Sequence, residues 1–344
     1  MGYIYTKSGK LAKRLYFGAV LLFEGLYYTF KNRVLADGGT FLENELPTIS
    51  QDASLVLTPN AYKAGKLYSA VPNDGTGDFT VDRNYTATYI GQDGLIKTAL
   101  ANVPRIDWST GEATLLVEPQ QTNLIAYSEN FSNAFWNKTS VTVLPGQLSP
   151  NGGTDAYKII DNVREGEVTS NDIRSVNNLE AKTYIISIHV KAGTKDKIKF
   201  YNGATTAYVD ITNKQLSGDY QEATIETLSD GWVRVSVKQT YTTSGSKLFL
   251  VGMVDVIGEG NYLPDGTGTV FFYGFQIEEG TEATSYIPTN GSTVTRLADN
   301  ISVPTPAGVT AITETINGVE QTPITTIPAT YSLPVGNINK VTMI

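Results

Sequence analysis

The 344-residue chain has no cysteine and a single histidine, His189. The missing cysteines exclude disulfides, thiolate nucleophiles, iron–sulfur clusters and thiolate zinc sites together. One histidine argues against a Ser-His-Asp triad or a multi-histidine metal site within one chain. Charge is sparse, at 17% of residues, and 34 acidic against 26 basic side chains leave a net −8. A nucleic-acid binder usually needs a basic face, so no nucleic-acid partner is expected. Long hydrophobic runs are missing as well. The uncharged stretch Leu15–Phe23 has nine residues, where a membrane helix needs about 20.

What is present points to β structure. The chain carries 43 Thr, 32 Gly and 20 Tyr, with 41% hydrophobic residues, enough to build real cores. That composition fits an all-β extracellular or virion protein better than a cytosolic enzyme. Length allows two or three domains at roughly 100–200 residues each. Residues 1–45 form an apolar anchor segment in which Lys7, Lys10, Lys13 and Arg14 precede Leu15–Phe23. Glu24-Gly25 interrupts the run, which resumes as Leu26–Phe30. Two β-strands joined near Glu24-Gly25 is the preferred reading; a helix inserted into a partner or lipid, or a cleaved signal, are the alternatives. Membrane contact of Leu15–Phe30 is thus disfavoured, and the segment is expected to meet other proteins of a larger assembly. Residues 46–114 read as a β-rich lead-in broken by turn signals, among them Gln92-Asp93-Gly94 and Ser109-Thr110-Gly111.

Residues 115–299 give the clearest period-two alternation. Tyr184, Ile186, Ile188 and Val190 share one face, opposite Ile185, Ser187, His189 and Lys191. Val233, Val235 and Val237 oppose Trp232, Arg234, Ser236 and Lys238, and Phe271, Tyr273, Phe275 and Ile277 are read as one face of a third strand. Turn chemistry separates the runs at Pro150–Gly153, Ser217–Asp219, Ser229–Gly231 and Pro264–Gly266. This pattern predicts an all-β fold centred on a jelly-roll-like antiparallel β-sandwich. Residues 300–344 read as a small C-terminal β domain for oligomerisation or a second head. It has a hairpin tip at Asn317-Gly318 and a final run, Asn339–Ile344, apolar to its end and expected to be tied into a sheet.

Several short motifs carry a resemblance. They are Leu115–Leu124, Tyr127–Asn133 with Trp136, Pro150–Lys158, Asp230–Ser236, Tyr273–Thr289 and Thr295–Asp299, preceded by Lys66–Ser69, Gly77–Arg83 and Asn102–Asp107. In this order, over roughly residues 60–299, they resemble a module of bacteriophage virion structural proteins. That family places a lectin- or carbohydrate-binding-module-like sandwich in fibres, spikes and tail proteins. The resemblance implies a virion-exterior location, a homo-oligomer (trimer or pentamer) and a host-surface glycan as ligand.

Candidate site residues are few. Tyr127, Phe131, Phe135 and Trp136 have a spacing that fits a short helical turn clamping aromatics on the sandwich edge. Closing one end of the core is the preferred reading. Tyr127, Trp136 and Trp232 are the candidate ligand-binding residues if aromatic faces stack on sugar; for Trp232, opposite the valine face, a second buried layer is the preferred reading. Glu118, Glu129 and Asp155 are the carboxylates from which a glycosidase pair could be drawn, which requires two carboxyls about 5–10 Å apart. His189 reads as structural. Asn73–Asp78 lacks the EF-hand spacing, and Glu278–Glu282 reads as a solvated turn. No cofactor, metal or catalytic residue is expected. Two function classes follow: a non-enzymatic virion protein displaying a glycan-binding sandwich, with a capsid decoration or connector role as its variant, and a glycan-cleaving tailspike. The long repeat period of a β-helix, which would favour the tailspike, is absent.

Overall fold

The computed structural model describes residues 53–344, apart from 60–61, 64–65 and 73–76, together with the strands Arg33–Leu35 and Phe41–Glu43. The run Leu15–Phe30 and the loop residues Asn73–Thr76 lie outside the described residues. Those that are described form an all-β molecule.

Twelve strands build the sandwich. In chain order they are β1 (Asn137–Thr139), β2 (Val141–Gln147), β3 (Ala156–Asp161), β4 (Asn171–Leu179), β5 (Thr183–Ala192) and β6 (Lys197–Tyr201). The second half comprises β7 (Thr206–Asp210), β8 (Gln215–Asp219), β9 (Glu222–Thr227), β10 (Trp232–Thr240), β11 (Gly245–Met253) and β12 (Thr269–Glu279). A front sheet has the order β1-β4-β11-β6-β7-β8, and a back sheet has β2-β3-β12-β5-β10-β9. All their pairings are antiparallel. The core lies between them, with Phe200, Phe249 and Val251 from the front meeting Ile188, Val235 and Phe272 from the back. Jagged apolar faces of this size hold two sheets together by area removed from water.

Alternation along β5 and β10 is as expected: Ile186, Ile188, Val190, Val233, Val235 and Val237 all enter that core. Strand β12 departs from it. Val270 and Phe272 point inward, then Phe275 and Ile277 do, so Phe271 and Tyr273 lie on the opposite face from Phe275 and Ile277. A β-bulge causes the phase change. Register slips between Ser187 and His189, which pair with Gln276 and Tyr273, so Gly274 and Phe275 together face Ile188. Gly274 has φ +57°, and a Cβ there would sit 2.9 Å from Tyr286 Cζ and 3.0 Å from His189 Nδ1. Gly274→Ala is therefore expected to lower stability by about 1–3 kcal/mol in urea titrations, through left-handed strain and contact with two buried rings.

The segment expected to hold a helical turn, Ser128–Trp136, is a chain of turns without helix. Asn130 and Asn133 side chains cap those turns, accepting from the Asn133 and Phe135 amides. Such Asx turns compete with helix for the backbone donors.

The lead-in and the C-terminal strands, read as separate units, form one. Gly336–Met343 is a central strand that pairs with Thr114–Val117, Ile312–Ile316 and Leu55–Leu57. Asn300–Pro304 pairs with Thr80–Asp82. Their shared core includes Leu55, Phe79, Leu115, Val303, Ile338 and Met343. Strand Thr114–Val117 thus belongs to this unit and not to the sandwich. The Asn317-Gly318 hairpin is present, with both residues at positive φ, and the apolar C-terminal strand is paired in the sheet. A hairpin of Ala87–Ile90 and Ile96–Ala99 covers the outer side of the back sheet, where Ile96 and Ile90 pack with Trp232, Tyr273 and Tyr286. Tyr286 beneath this hairpin also lies against His189, with ring centroids 5.4 Å apart, and both faces of β5 are buried.

Candidate functional site

Covering the back sheet leaves the front sheet as the open one. Its inward residues are fixed by the core: Ile173, Ile198, Phe200, Ala207, Val209, Phe249 and Val251. Alternation then turns their neighbours outward. Strand register sets these outward residues in two transverse rows. One row runs Asp172, Gly252, Lys199, Tyr208 and Ser217, and the next runs Arg174, Leu250, Tyr201, Thr206 and Asp219. Val176 and Leu248 begin a third. Tyr201 and Tyr208 are thus diagonal neighbours on adjacent strands, within reach of one extended ligand.

The face is prepared on one side and open on the other. Asp172 is fully buried and receives a bidentate fork from Arg174, at 2.8 Å (Nε to Oδ1) and 3.0 Å (Nη2 to Oδ2). That pairing fixes the planar guanidinium, which keeps partial exposure. Lys199 Nζ donates to Ser170 Oγ at 2.7 Å and to the Gly260 carbonyl, tying β6 to the 258–261 loop. Burial lowers the Lys199 ammonium pKa below its usual value. The Tyr208 hydroxyl donates to the Gly258 carbonyl at 3.2 Å, which holds that ring in place. Further along, Tyr201, Leu248 and Leu250 are half-buried, and Val176 is 60% exposed. Gly252 keeps the centre low because a Cβ there would meet Asp172 Cβ at 2.5 Å.

The three aromatics proposed from sequence lie elsewhere. Trp136 is 1% exposed, stacks edge-on with Phe275 at 5.3 Å and donates its indole N–H to the Tyr127 carbonyl at 2.8 Å. It closes one end of the core and offers no face to a ligand. Trp232 is also 1% exposed, because the lead-in hairpin covers it. Sequence alternation placed it on the outer face, and the second buried layer preferred for it there is the one it joins. Tyr127 retains partial exposure, with its ring 5.7 Å from Phe135. Tyr201 and Tyr208 were missed, although a period-two reading of 197–201 and 206–210 would have turned both outward.

Two of the three candidate carboxylates share a network. Tyr273 Oη donates to Glu129 Oε1 at 2.7 Å, and Asn151 Nδ2 bridges Tyr273 Oη (3.1 Å) and Asp155 Oδ2 (2.9 Å). Burial pushes the Glu129 carboxyl up, and the nearby Asp155 charge adds to this. Glu118 is separate, in a buried ionic cluster at the junction between the sandwich and the second unit. There Arg105 contacts Glu118 Oε2 at 2.6 Å and also Asp299, and Arg83 contacts Asp299 at 2.6 Å. Arg296 lies 3.4 Å from Glu118 Oε2. Burial alone would push Glu118 up, but Arg105, Arg296 and two hydrogen bonds from Ser285 outweigh it and hold the carboxyl at about 2. Glu278, expected in a solvated turn, is fully buried and accepts from Gln276, the Thr284 amide and the Thr284 hydroxyl. Tertiary contact with the 284 segment overrides its local polarity.

His189 is 1% exposed, and its Nδ1 lies 3.3 Å from the Gly274 carbonyl, so that nitrogen carries the proton. Burial and then the Arg234 charge lower its pKa to about 3. An unfolded chain takes up this proton below its ordinary 6.5, whereas the folded one resists until about 3. Stability is therefore complete above pH 6.5 and falls on acidification. From pH 7 to pH 5 the loss due to His189 is expected to be about 2 kcal/mol by urea titration, and absent in His189→Gln. Glu118 adds a further loss between about 4.5 and 2.

Among the described residues no group of side chains is arranged to hold a metal ion, and no helix is long and apolar enough to cross a membrane.

No protein-family model matches the chain, and no curated protein matches its sequence. Among solved structures, parts of the chain are similar to carbohydrate-binding modules. The CBM22-1–GH10 modules of Clostridium thermocellum xylanase 10B, complexed with xylohexaose, are 15% identical, with a TM-score of 0.28. That match covers 47% of this chain and 28% of the xylanase chain, well under two thirds of its length. The CBM22-1 xylan-binding domain of Paenibacillus barcinonensis Xyn10C is 14% identical over 47% of this chain and 94% of its own, at a TM-score of 0.28. TmCBM61, complexed with β-1,4-galactotriose, is 13% identical over 46% of this chain and 99% of its own, at 0.29.

Proposed function

We propose that this protein is a non-enzymatic structural protein on the exterior of a bacteriophage particle, a homo-oligomeric spike or fibre that holds a host-surface glycan on its front sheet. The observation that carries the glycan reading is the outward face on which Tyr201 and Tyr208 stand as diagonal neighbours, with half-exposed Leu250 between Tyr201 and the fixed Arg174 guanidinium. A sugar ring has apolar C–H faces and a hydroxyl edge. Tyrosine rings and leucines suit the first, and Arg174, Thr206 and Ser217 suit the second. The phage context is supported by the ordered motifs between residues 60 and 299. Two of these supply Glu118, Arg296 and Asp299 to the buried junction, which gives the motifs a structural reason to occur together.

One observation favours the cleaving alternative: the Glu129–Asp155 network, with one carboxyl pushed up beside another. A glycan array probed with the full chain, followed by reducing-end assay on each bound polysaccharide, separates the readings. The proposal expects binding without release of reducing ends. A blank array assigns the chain to decoration or connection of the particle, and release that Glu129→Gln abolishes assigns it to cleavage.

A further inference from the structure

A second concave place lies on the opposite side of the molecule from the front sheet. A cavity of about 130 Å³ lies where the back sheet, the lead-in hairpin and the C-terminal sheet meet. Its walls include Glu226 and Arg234 from the back sheet, Ile96 from the hairpin, Asp107 from the lead-in and Asn337 from the C-terminal strand. Glu226 and Arg234 are register partners on β9 and β10, yet no ion pair joins them. Arg234 directs its head group away, to the Thr284 carbonyl at 2.7 Å and the Ser187 hydroxyl at 3.0 Å. Its Nε, on a side chain more than nine-tenths buried, has no acceptor. The Glu226 carboxylate is half-exposed and receives no hydrogen bond from a described residue. By contrast both Asp107 oxygens are occupied, by the Ile90 amide and by Ser109.

Arg234, with its buried Nε lacking an acceptor, and the half-exposed Glu226 therefore line one small space. Each unmade bond at a buried polar group is costly, so the space should hold something that both donates and accepts. Hydroxyl groups do both, and a carboxylate can accept from two adjacent hydroxyls at once. Ile90 and Ile96 supply an apolar wall for the ring carbons. We infer that this junction cavity is a pocket for one neutral, hydroxyl-rich sugar ring, held by Glu226 and Arg234 and distinct from the extended front-sheet face. The ligand class rests on the glycan reading above; the residues do not. Burial pushes the Glu226 carboxyl up against the Arg234 charge, with Asp107 and Glu118 adding to the rise. Such a pocket would take the end or a branch of a chain whose length lies elsewhere.

Calorimetric titration of the full chain with neutral and amino-substituted methyl pyranosides tests this, with Glu226→Gln in parallel. The expected result is binding of at least one neutral methyl pyranoside, weakened about tenfold or more by Glu226→Gln, as for loss of a hydrogen bond to a charged group. Wild-type crystals soaked in that glycoside should show the ring between Glu226 and Arg234. Absence of binding, binding untouched by Glu226→Gln, or a soaked ring lying on Tyr201 and Tyr208 overturns the pocket. Binding restricted to the amino sugars overturns it in favour of a cationic ligand. The front-sheet reading has its own test at the tyrosines, so the two fail separately.

Discussion

Arg105→Met is expected to lower the unfolding free energy by about 3–5 kcal/mol in urea, the cost of breaking a buried ion pair from one side. Arg105 is fully buried and donates to four acceptor groups at once: Glu118, Asp299, the Thr88 carbonyl and the Ser285 hydroxyl; Asp299 in turn accepts from the Glu118 amide. Methionine matches much of its volume, so the loss is one of charge and hydrogen bonds more than of packing. Two carboxylates would then share Arg83 and Arg296, and the latter makes no hydrogen bond. The variant also carries a pH signature. Glu118 loses the partner that holds it at about 2, its pKa rises towards or above the ordinary carboxylate value, and its stabilising contribution above pH 4.5 disappears. A purely structural gap would lower stability equally at every pH; here the deficit shrinks as pH falls from 5 to 2.

Tyr201→Ala and Tyr208→Ala are each expected to weaken glycan binding about tenfold or more, and the double variant about a hundredfold, by calorimetry on an array-selected oligosaccharide. Neither residue belongs to the core, whose members on the same strands are Ile198, Phe200, Ala207 and Val209. Stability should therefore change little, within about 1 kcal/mol. Phenylalanine at 201 should keep most of the affinity, since the ring face is the contact. At 208 it should cost more, because the hydroxyl bond to Gly258 fixes the ring.

The architecture of the sandwich was legible because alternation is a local signal. Strands β5 and β10 face as their sequences say. Strand β12 defeated the reading because one bulge residue, Gly274, exchanges the two faces midway and no neighbouring residue type marks it. The two outlying segments looked independent because their pairing, Leu115 with Ile338 and Val56 with Thr342, spans most of the chain. At the site, large aromatics drew attention that burial then withdrew: Trp136 and Trp232 are the kinds of residue that both cores and ligands favour. Tyr201 and Tyr208 lie on short strands whose inward partners identify them only after the core is known.

The central claim is that the open front-sheet face holds a glycan. A crystal structure of the full chain with the tightest-binding array oligosaccharide tests it most directly. The account predicts sugar rings in van der Waals contact with Tyr201 and Tyr208, with a hydroxyl hydrogen-bonded to Arg174. An array that stays blank, or a sugar bound while both tyrosines stay bare, would contradict it.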